Sequence, residues 1–260
     1  MLKPRIIPVL LLRKRGLVKT RRFADPLYVG DPFNAVRIFN EKEVDELAVL
    51  DVDATVEGRE PDFELVQEIV SEAFMPVAYG GGISTVSRAA RMLKLGVEKI
   101  VVNTSAVETP NFVSMLAKEV GSQSVVVSVD VRRRLLGRLE VYARRGQQRS
   151  GIDPITFAKR MQDAGAGELL IHSVDRDGMM GGYDIELLKS ITNVVTVPVI
   201  ALGGAGKLVD VRVAVQDGGV SGAAAGSLFV FHGRYRAVLI TYPRPDELQK
   251  LWMAGRTGGD

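Results

Sequence analysis

The chain has 260 residues, of which 46% are hydrophobic and 25% charged, an ordinary globular composition that excludes a disordered chain, a coiled coil or a fibrous repeat. Its 34 Lys and Arg against 31 Asp and Glu leave a formal net charge of +3, too small to imply nucleic acid by itself. The lack of cysteine excludes disulfides, thiol catalysis and cysteine-rich zinc sites, and two histidines, His172 and His232, leave little for a metal.

The first apolar run, residues 6–12, is far short of the roughly 20 needed to span a bilayer. It contains Pro8, leads into Arg13-Lys14-Arg15 and has no small-residue cleavage site behind it. Neither a signal peptide nor a membrane anchor is expected, and the chain is expected in the cytoplasm. Further apolar, β-branched runs follow at 47–52, 77–79, 100–102, 124–130, 169–173, 199–202 and 222–225. Between them, segments such as 61–73, 85–95, 111–120 and 154–164 place apolar residues at spacings of three and four, the signature of a helix with one buried face. Strands without polar alternation, alternating with helices, predict a parallel sheet covered on both sides. Eight such units in a chain of this length predict one closed (β/α)₈ barrel over residues 1–252, with a loose tail over 253–260. A hairpin insertion is predicted after the fifth strand, flanked by Arg132-Arg133-Arg134 and Arg144-Arg145; these runs can clamp a phosphorylated ligand or an acidic partner, with a solvated charge run as the default reading.

The two halves, about 1–120 and 121–252, repeat each other. Residues 75–82 (Met-Pro-Val-Ala-Tyr-Gly-Gly-Gly) recur 122 positions later as Val-Pro-Val-Ile-Ala-Leu-Gly-Gly, and Val52-Asp53 recurs as Val174-Asp175 at the same offset. Residues 6–15 align with 125–134 at an offset of 119. Two half-barrels of four units each explain the period.

Two glycine-rich turns, Gly80-Gly81-Gly82 and Gly203-Gly204-Ala205-Gly206, each follow a strand and precede a helix. Glycines there let backbone N–H groups approach an anion at a helix N-terminus. Alone, either turn reads as a tight connection. Two copies at the repeat offset, each partnered by a polar strand end (Asn103-Thr104-Ser105 and Gly226-Ser227), predict two phosphate sites across one barrel mouth. At the other end, Arg5, Glu46, Lys99 and Glu168 each stand just before an apolar run. Alternation of side chains along a strand puts all four inside the barrel floor, where two cations and two anions can neutralise one another. Above them Ile7, Val9, Ala48, Leu50, Val101 and Leu170 form an apolar lining.

Ile6-Ile7, Asp51, Gly80–Gly82, residues 99–104, residues 121–127, residues 173–178 and Gly203–Gly206 together resemble the cyclase subunit of imidazole glycerol phosphate synthase, over residues 1 to about 232. The resemblance implies a duplicated half-barrel without cofactor or metal, a heterodimer with a glutaminase subunit docked at the floor, and a bisphosphorylated ligand at the mouth. It assigns the phosphate anchors to Gly81, Gly82, Asn103, Thr104, Asp177, Gly178, Gly204, Gly226 and Ser227, with Lys19 and Asp51 organising the site. The four floor charges become an ammonia gate, and the apolar lining a path that favours neutral ammonia over ammonium.

The resembled chemistry uses two acids, at the ends of the first and fifth strands. The second is present as Asp130. The first is Leu11, which the internal repeat independently aligns with Asp130. Leucine cannot transfer a proton, and loss of one positioned acid or base typically costs about 10²–10⁴-fold in rate. Strand six ends in His172 in place of a hydroxyl residue, and strand seven in Leu202 in place of serine. His172 can act in proton transfer or as a hydrogen-bonding wall residue; His232 is expected in a surface loop.

Divergent paralogues with leucine at the first acid resemble this chain in residues 18–20, 28–32 and 39–47. They belong with surface-polysaccharide pathways, where nitrogen enters an acetamido sugar as an amidino group and a separate sugar amidotransferase takes part. Three functions follow: an ammonia-conducting subunit for such a pathway, a working histidine-biosynthesis cyclase using Asp130 and His172, or a non-catalytic activator of the glutaminase. The first accounts best for intact cradles beside an altered mouth. No nucleic-acid or membrane partner is expected.

Overall fold

The computed structural model describes residues 4–109 and 111–253. The apolar runs become eight parallel strands: β1 (Arg5–Arg13), β2 (Leu47–Asp51), β3 (Val77–Gly80), β4 (Lys99–Val102), β5 (Val125–Arg133), β6 (Glu168–Ser173), β7 (Val199–Leu202) and β8 (Gly222–Ala225). Each pairs with the next in sequence, and β8 pairs with β1 (Ile7 opposite Ala224), so the sheet has no free barrel edge. The β5–β6 register sets His172 opposite Asp130, and the β1–β2 register sets Leu11 opposite Leu50.

Alternation sorts the strand residues into two cores. Ile7, Val9, Ala48, Ala78, Val101, Val126, Leu170, Ile200, Leu202 and Ala224 fill the interior, with Leu11 and Leu50 packed on them. Their sequence neighbours, among them Ile6, Leu10, Val49, Ile100, Val127 and Ile171, face the helices and form the larger core. Five helices start on side chains that satisfy a free backbone N–H: Asp31, Asp62, Thr85, Asp153 and Asp184 each accept from the amide three residues on. The predicted helices appear as Phe63–Glu72, Val86–Lys94, Phe112–Val120 and Pro154–Asp163.

β1 and β5, the first strands of the two halves, are the nine-residue strands of the barrel. Each runs on into an antiparallel partner: Gly16–Arg21 folds back on β1 and in turn pairs with Ala24–Gly30, while Leu139–Ala143 folds back on β5. The second hairpin is the one predicted. The first is not legible in the sequence because its two-residue turns, Lys14-Arg15 and Arg22-Phe23, hold positive φ at both central positions without the Asn or Gly that ordinarily signals such turns. Helix Pro32–Glu41 is also unpredicted, although Asp31-Pro32 supplies both its cap and its first residue.

His232 is exposed, but in a short strand rather than a loop: Phe231–His232 pairs with Ala237–Val238. The final helix, Pro245–Met253, takes in Met253, the first residue of the expected tail; the rest of that tail lies outside the described residues. Among the described residues, no helix is long and apolar enough to cross a membrane.

Candidate functional site at the barrel mouth and floor

At the floor the four charged residues close a ring. Arg5 donates from Nη1 to Glu46 Oε2 and from Nη2 to Glu168 Oε1, both at 2.5 Å. Lys99 Nζ lies 3.1 Å from a carboxylate oxygen of each glutamate. Each anion thus bridges both cations and the net charge is zero. Burial alone would lower the pKa of Arg5, but the attraction of Glu168 and Glu46 outweighs it and holds the guanidinium above its ordinary value. Directly above stands the apolar interior core.

At the opposite end a cavity of about 130 Å³ opens among the C-terminal strand ends, walled by Leu11, Leu50, Val101, Asn103, Asp130 and His172. Two further recesses flank it. One is built from Gly82, Ser84, Arg88, Thr104, Ser105 and Arg144, the other from Lys19, Asp177, Gly178, Gly204, Gly226 and Ser227. The two predicted cradles therefore lie on separate sides of one mouth. Their glycines are needed sterically: at φ +114° a Cβ on Gly81 would come within 2.4 Å of the Asp51 carbonyl, and at φ +113° one on Gly204 within 2.2 Å of the Gly182 carbonyl.

The other predicted residues have specific tasks in the fold. Lys19, almost fully buried, donates to the Val9 carbonyl at 2.5 Å. Burial, partly opposed by Asp177, lowers its pKa to about 8. Asp51 holds Arg59 through two bonds of 2.8 Å. The Asn103 amide donates to the carbonyls of Ser128 and Tyr142, tying β4 to the β5 hairpin. Thr104 accepts from the Arg144 amide.

The centre of the mouth holds an imidazole between two carboxylates. His172 Nδ1 is 3.9 Å from Asp130 Oδ1, and its Nε2 is 3.7 Å from Asp177 Oδ1. Nε2 is buried without a hydrogen-bond partner, and the Phe23 ring stands edge-on to the imidazole at 4.7 Å. Burial pushes the Asp130 carboxyl up, against the opposing pull of His172 and of the Ser128 hydroxyl, which donates to it at 2.7 Å. Asp177 is also pushed up by burial, but His172, the Thr20 hydroxyl and the Phe23 amide outweigh this and hold it below the usual carboxylate range. The two carboxyls that flank His172 are thereby shifted in opposite directions. Leu11, in contrast, contributes only hydrocarbon to both the central cavity and the recess beside it.

Phe23 and Asp53 are mouth residues that belong to no site motif in the sequence, and Arg145 belongs only to a basic run. Phe23 reaches His172 only because the first hairpin folds over the mouth. Asp53 accepts from Arg13 Nε at 2.8 Å and from Arg145 Nη1, joining β1 to the β5 hairpin. Arg145 thus leaves the solvated run to which its sequence assigns it and lines the cavity, while Arg144 pairs with Glu108. Among the described residues, no group of three or more His, Asp or Glu is placed to hold a metal.

Residues 5–236 match the family described as histidine biosynthesis protein. The chain is 49% identical over 253 residues to a Leptospira interrogans protein named "Putative imidazole glycerol phosphate synthase subunit HisF", covering 97% of this chain and all of that one. It is 49% identical to the Vibrio vulnificus protein named as the hisF3 subunit, over 96% of each chain. The imidazole glycerol phosphate synthase subunit HisF of Alkaliphilus metalliredigens is 40% identical, over 89% of this chain and 92% of its own. The closed barrel and these likenesses together establish that the chain belongs to the histidine biosynthesis protein family, as a divergent HisF-like cyclase-type subunit.

Proposed function

We propose that this chain is the ammonia-conducting barrel of a glutamine amidotransferase complex whose nitrogen enters an acetamido sugar of a surface polysaccharide as an amidino group. In this reading a glutaminase subunit docks at the floor, ammonia passes the Arg5–Glu46–Lys99–Glu168 gate, and a phosphorylated ligand occupies the cradles at the mouth. A sugar amidotransferase takes up the ammonia there.

The observation that carries the reading is the pairing of an intact, charge-balanced floor with a mouth in which Leu11 holds the position that the internal repeat aligns with Asp130. A neutral molecule crosses the apolar interior at little cost, whereas ammonium would lose its hydration with no carboxylate to replace it. Cyclisation needs two positioned proton-transfer groups, and the first strand offers none.

The test is complementation of a histidine auxotroph lacking the cyclase, run beside a glutaminase assay with the purified partner subunit. Failure to restore growth, together with restored glutaminase turnover, is expected. Growth on minimal medium would overturn it.

A second reading rests on His172. Its unpartnered Nε2 and the two flanking carboxylates are what a replacement acid–base group requires, so a working cyclase using Asp130 and His172 is the competing function. In that case His172→Gln removes ammonium-driven imidazole formation; under the first reading there is no such turnover to lose.

A further inference from the structure

The positive charge of this chain is concentrated in three hairpins. Residues 13–30, 131–150 and 231–238, the hairpin segments at the mouth, carry 15 Lys or Arg against 2 Asp or Glu. The remaining residues carry 19 against 29, including Asp53, Asp62, Asp175 and Asp177 in the loops between the hairpins. The hairpin tips are therefore strongly basic against a near-neutral chain. The first two segments are bonded to each other there, and the first and third both hold the turn at 177–178. Arg132 donates to the Arg22 carbonyl, the Arg22 amide to the Asp177 carbonyl, and Arg236 to the Gly178 carbonyl.

Much of this charge is unneutralised. Among the described residues, Arg21, Arg22, Arg132, Arg138, Arg234 and Arg236 have no acidic partner within 4.0 Å. The same hairpins expose large apolar side chains. Leu135 is 92% exposed, Leu136 fully so, Tyr235 92% and Tyr28 66%. Leu136 also holds φ +67°, a left-handed conformation that Gly or Asn adopts far more readily. Among the described residues, nothing covers the Leu136 side chain.

The geometry points to the mouth face as a docking surface for a second protein with an acidic face, seated on the three hairpin tips. Arginine and tyrosine beside solvent-exposed leucine match the residue types that carry binding energy at protein interfaces. The unpaired guanidiniums select an acidic complement. A small phosphorylated ligand accounts for the charge but leaves the apolar tips idle. The inference rests on the proposed function only in making this partner the receiver of ammonia; a protein capping the hairpins would shield the barrel exit from water.

The test places a photo-crosslinking residue at position 136 of the full chain in its own cells, with a control at Phe74, which is exposed far from the mouth. The protein joined at position 136 is identified, purified and titrated against wild type, Leu136→Asn and Arg138→Glu at two salt concentrations. Expected are an acidic protein absent from the Phe74 control, binding that weakens with salt, and a loss of about tenfold in affinity for each variant. Leu136→Asn relieves the backbone, so its native unfolding midpoint separates lost docking from lost folding. Adducts only with nucleic acid or a second copy of this chain, no adduct, or affinity unchanged in both variants would overturn the proposal. If the partner binds as expected but glutamine nitrogen never reaches it or its substrate, the docking surface stands and the ammonia reading fails.

Discussion

At the scale of the residue, a single exchange sets the chemical character of the mouth. Leu11 occupies an interior-facing position whose repeat counterpart is Asp130, and its neighbour across the sheet is Leu50. Leu11→Asp is expected to bring ammonium-driven imidazole glycerol phosphate formation, absent from the wild type, to ~10²-fold above the background rate, the scale of one positioned proton-transfer group; a rate still at background would show that Leu11 is not what blocks the reaction. Lys19 gives a pH prediction with a definite sign. Its pKa near 8 keeps the ammonium form below that pH and loses it above, so phosphate binding in the Asp177–Gly178–Ser227 recess should weaken as pH rises from 7 to 9. Calorimetry with a bisphosphorylated sugar measures this, and Lys19→Met should flatten the profile. Neither the lysine's burial nor its bond to the Val9 carbonyl is legible in the sequence, because both arise from a hairpin whose turns lack Asn and Gly.

At the scale of the element, helix caps and hairpins divide the labour. Asp153 accepts from the amide and hydroxyl of Thr156 at the start of helix Pro154–Asp163. Asp153→Ala should therefore cost about 1 kcal/mol in urea unfolding without moving the mouth. The predicted helices are readable because their signal is local: the apolar positions of the buried face lie three and four residues apart. The hairpin appended to β1 is not, although its counterpart on β5 is, since both have basic flanks and only the second has glycine in its turns, Gly137 and Gly146. Asn103 shows the consequence. The sequence places it at a strand end facing an anion, and the fold turns its amide to the Ser128 and Tyr142 carbonyls, making it a tie between β4 and the second hairpin as well.

At the scale of the whole molecule, the floor ring depends on barrel closure. Its members come from β1, β4, β6 and the residue before β2, and no pair is closer than 41 residues in sequence. Removing one cation leaves two carboxylates facing one guanidinium. Lys99→Ala should retain a native circular dichroism spectrum, lose on the order of 1–3 kcal/mol of stability, and alter either ammonia leakage or the coupling of glutaminase turnover. Unchanged coupling with the same loss of stability would make the ring a structural staple only.

The sequence by itself determined the barrel, because buried parallel strands and one-sided helices write their burial directly into residue pattern. It also placed the floor charges and the glycine turns, since strand alternation and positive φ are properties of a few adjacent residues. Only the tertiary structure decided that His172 lies between Asp130 and Asp177, that Arg145 and Arg13 share Asp53, and that three basic hairpins meet around one opening. Those relations join distant residues, as Arg22 and Arg132 of two hairpins, 110 positions apart, and a distance across a closed sheet is fixed by register and hairpin packing, neither of which any local pattern encodes.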